Sequence, residues 1–134
     1  MKTLNNNIEE QKVGFDNAKL LKEKGFDVKT HYWFHRDTKK LEYNNLLFSM
    51  NNLTENYSAP TQQVAIDWIK INFGIQIFLD YTFCVGLYYG TKIMSPNGNV
   101  DEIWTKSVDK VIDGSNTPEE AKEAAINYVL TKLI

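Results

Sequence analysis

The sequence predicts an α+β protein, a mainly antiparallel sheet of about five strands with three helices packed on one face, in the order α-β-β-α-β-β-β-α. Three observations carry that reading. Thr117-Pro118-Glu119-Glu120 spells a helix start, β-formers and aromatics cluster between the helical stretches, and Asn97-Gly98 is a strong hairpin signal.

Phe15 to Lys24 reads as the first helix, with Phe15, Ala18 and Leu21 at three-residue steps and Lys19, Lys22 and Glu23 on the outer arc. Gly14 is a weak cap before it. Gly25 supplies a left-handed stop after it, which lets Phe26 pack back on the last turn. Thr30 to Arg36 and Lys39 to Asn45 read as a hairpin turned at Asp37-Thr38, and the Asn-rich stretch Asn51 to Tyr57 as a loop. A second helix is predicted from about Pro60 to Asn72, with Ser58 or Thr61 as its N-cap. Gln63, Asp67 and Lys70 form its polar stripe, so Val64, Ala65, Trp68, Ile69 and Ile71 imply burial over most of its circumference.

Gly74 ends that helix, and strands are predicted over Ile75 to Leu79, Phe83 to Met94 and about Val100 to Val108. The last helix begins with a capping box. Thr117 accepts from Glu120, Glu120 reaches back, and Pro118 sits where its missing N–H costs nothing. At 134 residues one domain over 1–134 is expected, with 1–11 loosely ordered and resembling neither a signal peptide nor a transit peptide.

The net charge of −2, and Arg36 as the only arginine, disfavour a dedicated nucleic-acid binder. Cys84 stands alone between Phe83 and Val85, which implies an inert, half-buried thiol and fits a cytoplasmic setting. No apolar run is long enough to span a bilayer, so no membrane partner is expected.

His31 and His35 flank Trp33 near Asp37, but a strand separates i and i+4 by about 13 Å, too far for one ion to join them without other ligands. Ordinary strand histidines are therefore the expectation, with no metal and no cofactor. The serines lack a nucleophile-elbow context, and Gly86 and Gly90 precede no helix, so neither a catalytic residue nor a dinucleotide fingerprint is read.

The aromatics Tyr32, Trp33, Tyr88, Tyr89 and Trp104 are the candidate binding surface, because roughly half of the strand aromatics should face away from a core covered by helices. Such a face can be solvated, dock a protein, or stack single-stranded nucleic acid. Charge favours protein.

Phe15 to Phe26, Ser58 to Trp68 and Ala121 to Leu133 together resemble a family of small uncharacterised proteins from Bacteroidetes-type gut bacteria and their phages or integrated mobile elements. Relatives usually carry Ser or Thr where this chain has Gly14. The resemblance implies origin and fold, and it carries no activity, ligand or site residue with it. The function expected is a cytoplasmic accessory protein that binds another protein, encoded by the host or the element. A nucleic-acid-associated module and a small enzyme whose site is invisible in sequence are the alternatives.

Overall fold

A computed structural model describes residues 11–49, 51, 53–83, 87–104 and 117–134; the side chains of 80–89, 103 and 104 fall outside that description. The elements in chain order are α1 (Phe15–Glu23), β1 (Thr30–His35), β2 (Leu41–Phe48), β3 (Asn56–Ser58), α2 (Gln62–Phe73), β4 (Gln76–Phe83), β5 (Leu87–Met94), β6 (Val100–Trp104) and α3 (Pro118–Tyr128). A π-helical turn, Val129–Leu133, continues α3.

The fold is α+β and its sheets are antiparallel, but among the described residues the strands form two sheets of three rather than one of about five. The orders are β2-β1-β3 and β4-β5-β6. The difference has two sources. β3 lies in the segment read as a loop, and antiparallel alternation along a strand says nothing about which other strand lies beside it.

β3 exists because Asn51 behaves like a backbone. Its Oδ1 accepts from the Ser58 N–H at 2.8 Å while its Nδ2 donates to the Phe26 carbonyl at 2.8 Å. The Lys22 ammonium adds donations to the Leu53 and Asn56 carbonyls and lies over the Tyr57 ring. Burial, and secondarily the charge of Arg36, holds Lys22 below the usual lysine range. Polar residues thus do here what apolar alternation does elsewhere.

In the second sheet the first strand is longer than expected. β4 runs to Phe83, where the sequence predicts the following strand to begin, and pairs with β5 from Gln76↔Met94 to Phe83↔Leu87. Cys84 and Gly86 lie outside the described residues, as do residues 1–10 and 105–116 with the expected end of the last strand. Asn97-Gly98 makes the β5–β6 hairpin, with Gly98 at φ +89°. The Asn97 side chain accepts from Asn99 N–H at 3.1 Å.

The helix ends follow local chemistry. Gly25 at φ +93° closes α1 with bonds from Gly25 N–H to Lys22 O and from Phe26 N–H to Leu21 O, the paired pattern of a Schellman motif. Thr61 is the N-cap of α2 and accepts from Val64 N–H at 3.1 Å, which decides the choice left open with Ser58. Thr117 and Glu120 make both bonds of the capping box. Thr117→Ala is expected to cost about 1 kcal/mol in urea denaturation and Thr117→Asp to retain most of that, since a carboxylate both caps and favours a helix N-terminus. Equal losses for the two variants would refute this account.

The buried side chains form one cluster. Leu21 and Ala18 of α1, Tyr57 of β3, Trp68 and Ile69 of α2, Ile93 of β5 and Ile126 of α3 belong to it, so both sheets and all three helices share a core. α2 is less enclosed than expected, because Val64 is exposed and Ile71 is 81% exposed. These two positions lie seven residues apart on the same outer stripe as Asp67, and only the Ala65, Ile66, Trp68 and Ile69 side of the helix meets the core.

Candidate functional site

Among several concave regions of the described residues, polar satisfaction separates two. The first, of about 700 Å³, lies between α1 and α3 and is lined by Gly14, Asn17, Lys39, Glu120, Glu123 and Asn127 among others. Its central group is already engaged. One oxygen of the Glu123 carboxylate accepts from Gly14 N–H at 2.6 Å and from Asn17 Nδ2 at 2.8 Å, and the other accepts from Gln62 Nε2 at 3.0 Å. Asn127 Nδ2 donates to Asn17 Oδ1 at 3.1 Å, and Asn17 Nδ2 also reaches the Glu123 carbonyl.

That network explains Gly14. α1 has no side-chain cap, and the Glu123 carboxylate of α3 accepts from the N–H of the cap residue itself, the bond that a Glu three residues into the helix makes in a capping box. A Cβ at residue 14 would sit 2.9 Å from that oxygen, so only glycine admits it without displacement. The network is a joint between three helices, in which Glu123, Asn17, Gln62 and Asn127 already partner one another.

The second region is a cleft of about 500 Å³ between β1, the end of β2 and the start of α2. A large β-bulge builds it. Thr30 pairs with Phe48 and Tyr32 with Tyr43, so β1 spends one residue, His31, where β2 spends four, Asn44 to Leu47. Two side chains hold the bulge in place. Asn44 Oδ1 accepts from Leu46 N–H at 2.9 Å, and His31 Nδ1 donates to the Asn44 carbonyl at 2.9 Å, which puts the neutral ring's proton on Nδ1. The His31 ring also stacks on Tyr43, with centroids 5.8 Å apart.

The bulge pushes apolar side chains outward. Leu46 is 62% and Leu47 53% exposed, with Tyr43 and Phe48 exposed beside them. Leu47 lines the cleft together with Val28, Val64, Tyr32 and Pro60, and β2 is an edge of its sheet. Lys12, Lys29, His31, Thr30 and Thr61 belong to the polar part of the lining, with the Lys12 ammonium 4.1 Å from the Tyr32 ring centroid. Among the described residues that line the cleft none is acidic.

The residues singled out in sequence are dispersed. Tyr32 reaches the cleft, whereas Trp33, the next residue on β1, projects to the opposite side, where its ring lies 6.5 Å from His35. Tyr88 and Tyr89 on β5 and Trp104 on β6 belong to the other sheet, and their side chains are not among those described. The histidines have separate partners. His35 Nδ1 accepts from Asp37 N–H at 3.2 Å, and among the described residues no group of three His, Cys, Asp or Glu side chains is arranged to hold a metal ion.

Sequence reading missed Leu46, Leu47 and Lys29. A signal was present in Leu46-Leu47-Phe48, a run of three apolar residues beyond the predicted end of the strand, which breaks the alternation of a half-buried strand. Comparison with known proteins finds no matching family model, no similar curated protein and no similar solved structure. Among the described residues no helix is long and apolar enough to cross a membrane.

Proposed function

We propose that this chain is a small protein-binding module that docks a partner on the exposed apolar edge formed by the β2 bulge. The observation that carries the reading is the pair Leu46 and Leu47, held outward by a bulge that two side chains fasten. A bulge at a sheet edge commonly re-aims side chains, and a contiguous apolar edge next to a cleft is the surface a partner would cover. The likeness to proteins of gut bacteria and their phages supports an accessory role in a phage or mobile element, with a host or element protein as the partner. Nucleic acid is the weaker reading, since Tyr32 and Trp33 lie on opposite faces of β1 and the chain has a single arginine.

The double variant Leu46→Ser, Leu47→Ser tests this directly. Both side chains are exposed, so stability should change by no more than about 0.5 kcal/mol. Proteins captured from an extract of the native host by the wild-type chain should be lost with the variant. An identical captured set from both would rule the docking edge out.

A further inference from the structure

We infer that a second copy of this chain pairs antiparallel along the straight half of β2, Lys40 to Tyr43, about a two-fold axis at Leu41. That half of the strand is separate from Leu46 and Leu47, so the pairing neither needs the docking edge nor is needed by it.

The backbone of β1 decides which groups of β2 turn outward. His35 N–H donates to the Lys40 carbonyl at 3.1 Å, whereas Arg36 N–H donates to the Glu55 carbonyl at 2.8 Å and the Tyr32 carbonyl accepts from Ala59 N–H at 2.9 Å. Odd-numbered residues of β1 therefore bond toward β2, and even-numbered ones toward β3. Glu42, opposite Trp33, turns its backbone groups inward, while Leu41 and Tyr43, opposite Phe34 and Tyr32, turn theirs outward. β2 is an edge of its sheet, and among the described residues no strand meets those outward groups. A bare edge is a template for another strand. Its straight half is bounded at both ends, by Lys39 at φ +59° in the hairpin turn and by the bulge that begins at Asn44, so a pairing here stays short.

Charge complementarity selects the occupant and the register. Lys40 and Glu42 share one face of β2, 3.9 Å apart at the surface, an ion pair worth little by itself. A strand laid antiparallel to its own copy meets the same residues in reverse order, so with the axis at Leu41 each Lys40 stands directly opposite the other copy's Glu42. These are positions without ladder hydrogen bonds, where facing side chains come closest, and the four charges alternate in sign. An axis at Glu42 sets two glutamates against each other, and an axis at Tyr43 sets Glu42 against Asn44, where the bulge has broken the pleat. On the opposite face the exposed Leu41 side chains of the two copies meet at the axis, with the exposed Tyr43 beside them. A contact of one patch with itself closes at two copies and goes no further.

Sedimentation equilibrium of the whole chain over a range of concentrations tests the inference. The wild type should pass from monomer to dimer with a Kd of roughly 10–100 μM, the weak class that so short an interface belongs to. Lys40→Glu and Glu42→Lys each set like charges opposite one another and should weaken the dimer by about tenfold or more. Lys40→Glu combined with Glu42→Lys should bring the Kd back to within about threefold of the wild type, which a merely structural role for either side chain does not explain. Leu46→Ser, Leu47→Ser should dimerise as the wild type does, so that loss of pairing and loss of partner capture are read apart. A monomer at every concentration, a dimer that the single charge variants leave unchanged, or one that the combined variant fails to restore would overturn the pairing while leaving the docking edge standing. A dimer abolished by Leu46→Ser, Leu47→Ser would overturn it too, and would give the bulged half of β2 to the second copy.

Discussion

Trp68→Ala is expected to lower the stability of the protein by about 3–5 kcal/mol, the range for removing a buried large aromatic. Trp68 is only 8% exposed, and its ring meets Phe26 at 5.3 Å and Phe73 at 5.5 Å, both edge to face. One of those phenyl rings follows α1 and the other ends α2, so the void left by the indole borders two separate elements. The melting temperature should fall by roughly 10 °C or more, and Trp68→Phe should restore the larger part. A fall of less than about 2 °C would show that Trp68 anchors nothing.

Glu123→Ala should cost about 2–4 kcal/mol, read from urea denaturation, although the side chain is only half-buried. Its removal leaves Gly14 N–H without its acceptor and takes a charged acceptor from Asn17 and Gln62, each of which keeps one carbonyl partner. Glu123→Gln separates charge from shape. It keeps one acceptor oxygen but turns an amide donor toward groups that are donors themselves, so an intermediate loss is expected. Loss of less than about 0.5 kcal/mol for the alanine variant would mean that the helices are joined by packing alone.

What was legible in the sequence was whatever the chain decides within a few residues. Thr117 with Glu120, Gly25 and Phe26 with Lys22 and Leu21, and Asn97 with Asn99 are each partners within a few residues, and the structure shows all three. Gly14 is the counterexample. It has no side chain to cap with, and the acceptor of its N–H, Glu123, lies at the far end of the chain. β3 was hidden for the same reason, since its ladder depends on β1 and on Asn51 rather than on its own pattern.

The candidate site divides along the same line. Tyr32 was selected as a strand aromatic, and it does line the cleft. Lys29, Leu46 and Leu47 acquire their places from the register shift between β1 and β2, and a shift of register is a property of two strands together. The outward faces of Val64 and Ile71 were likewise unreadable from helical periodicity, which ranks sides of a helix without saying where the core ends.

The bond from Gly14 to Glu123 spans 109 positions and that from Asn17 to the same side chain 106. During synthesis the first helix therefore leaves the ribosome long before its acceptor exists. Leu21 and Phe26, fully enclosed at the end, must spend that interval without the third helix that helps to cover them. Contacts of such high separation cost loop-closure entropy before they return any stabilisation, so this joint belongs among the late events of folding. Until it closes, these apolar side chains lack part of their native cover, the condition in which partly folded chains are prone to aggregate.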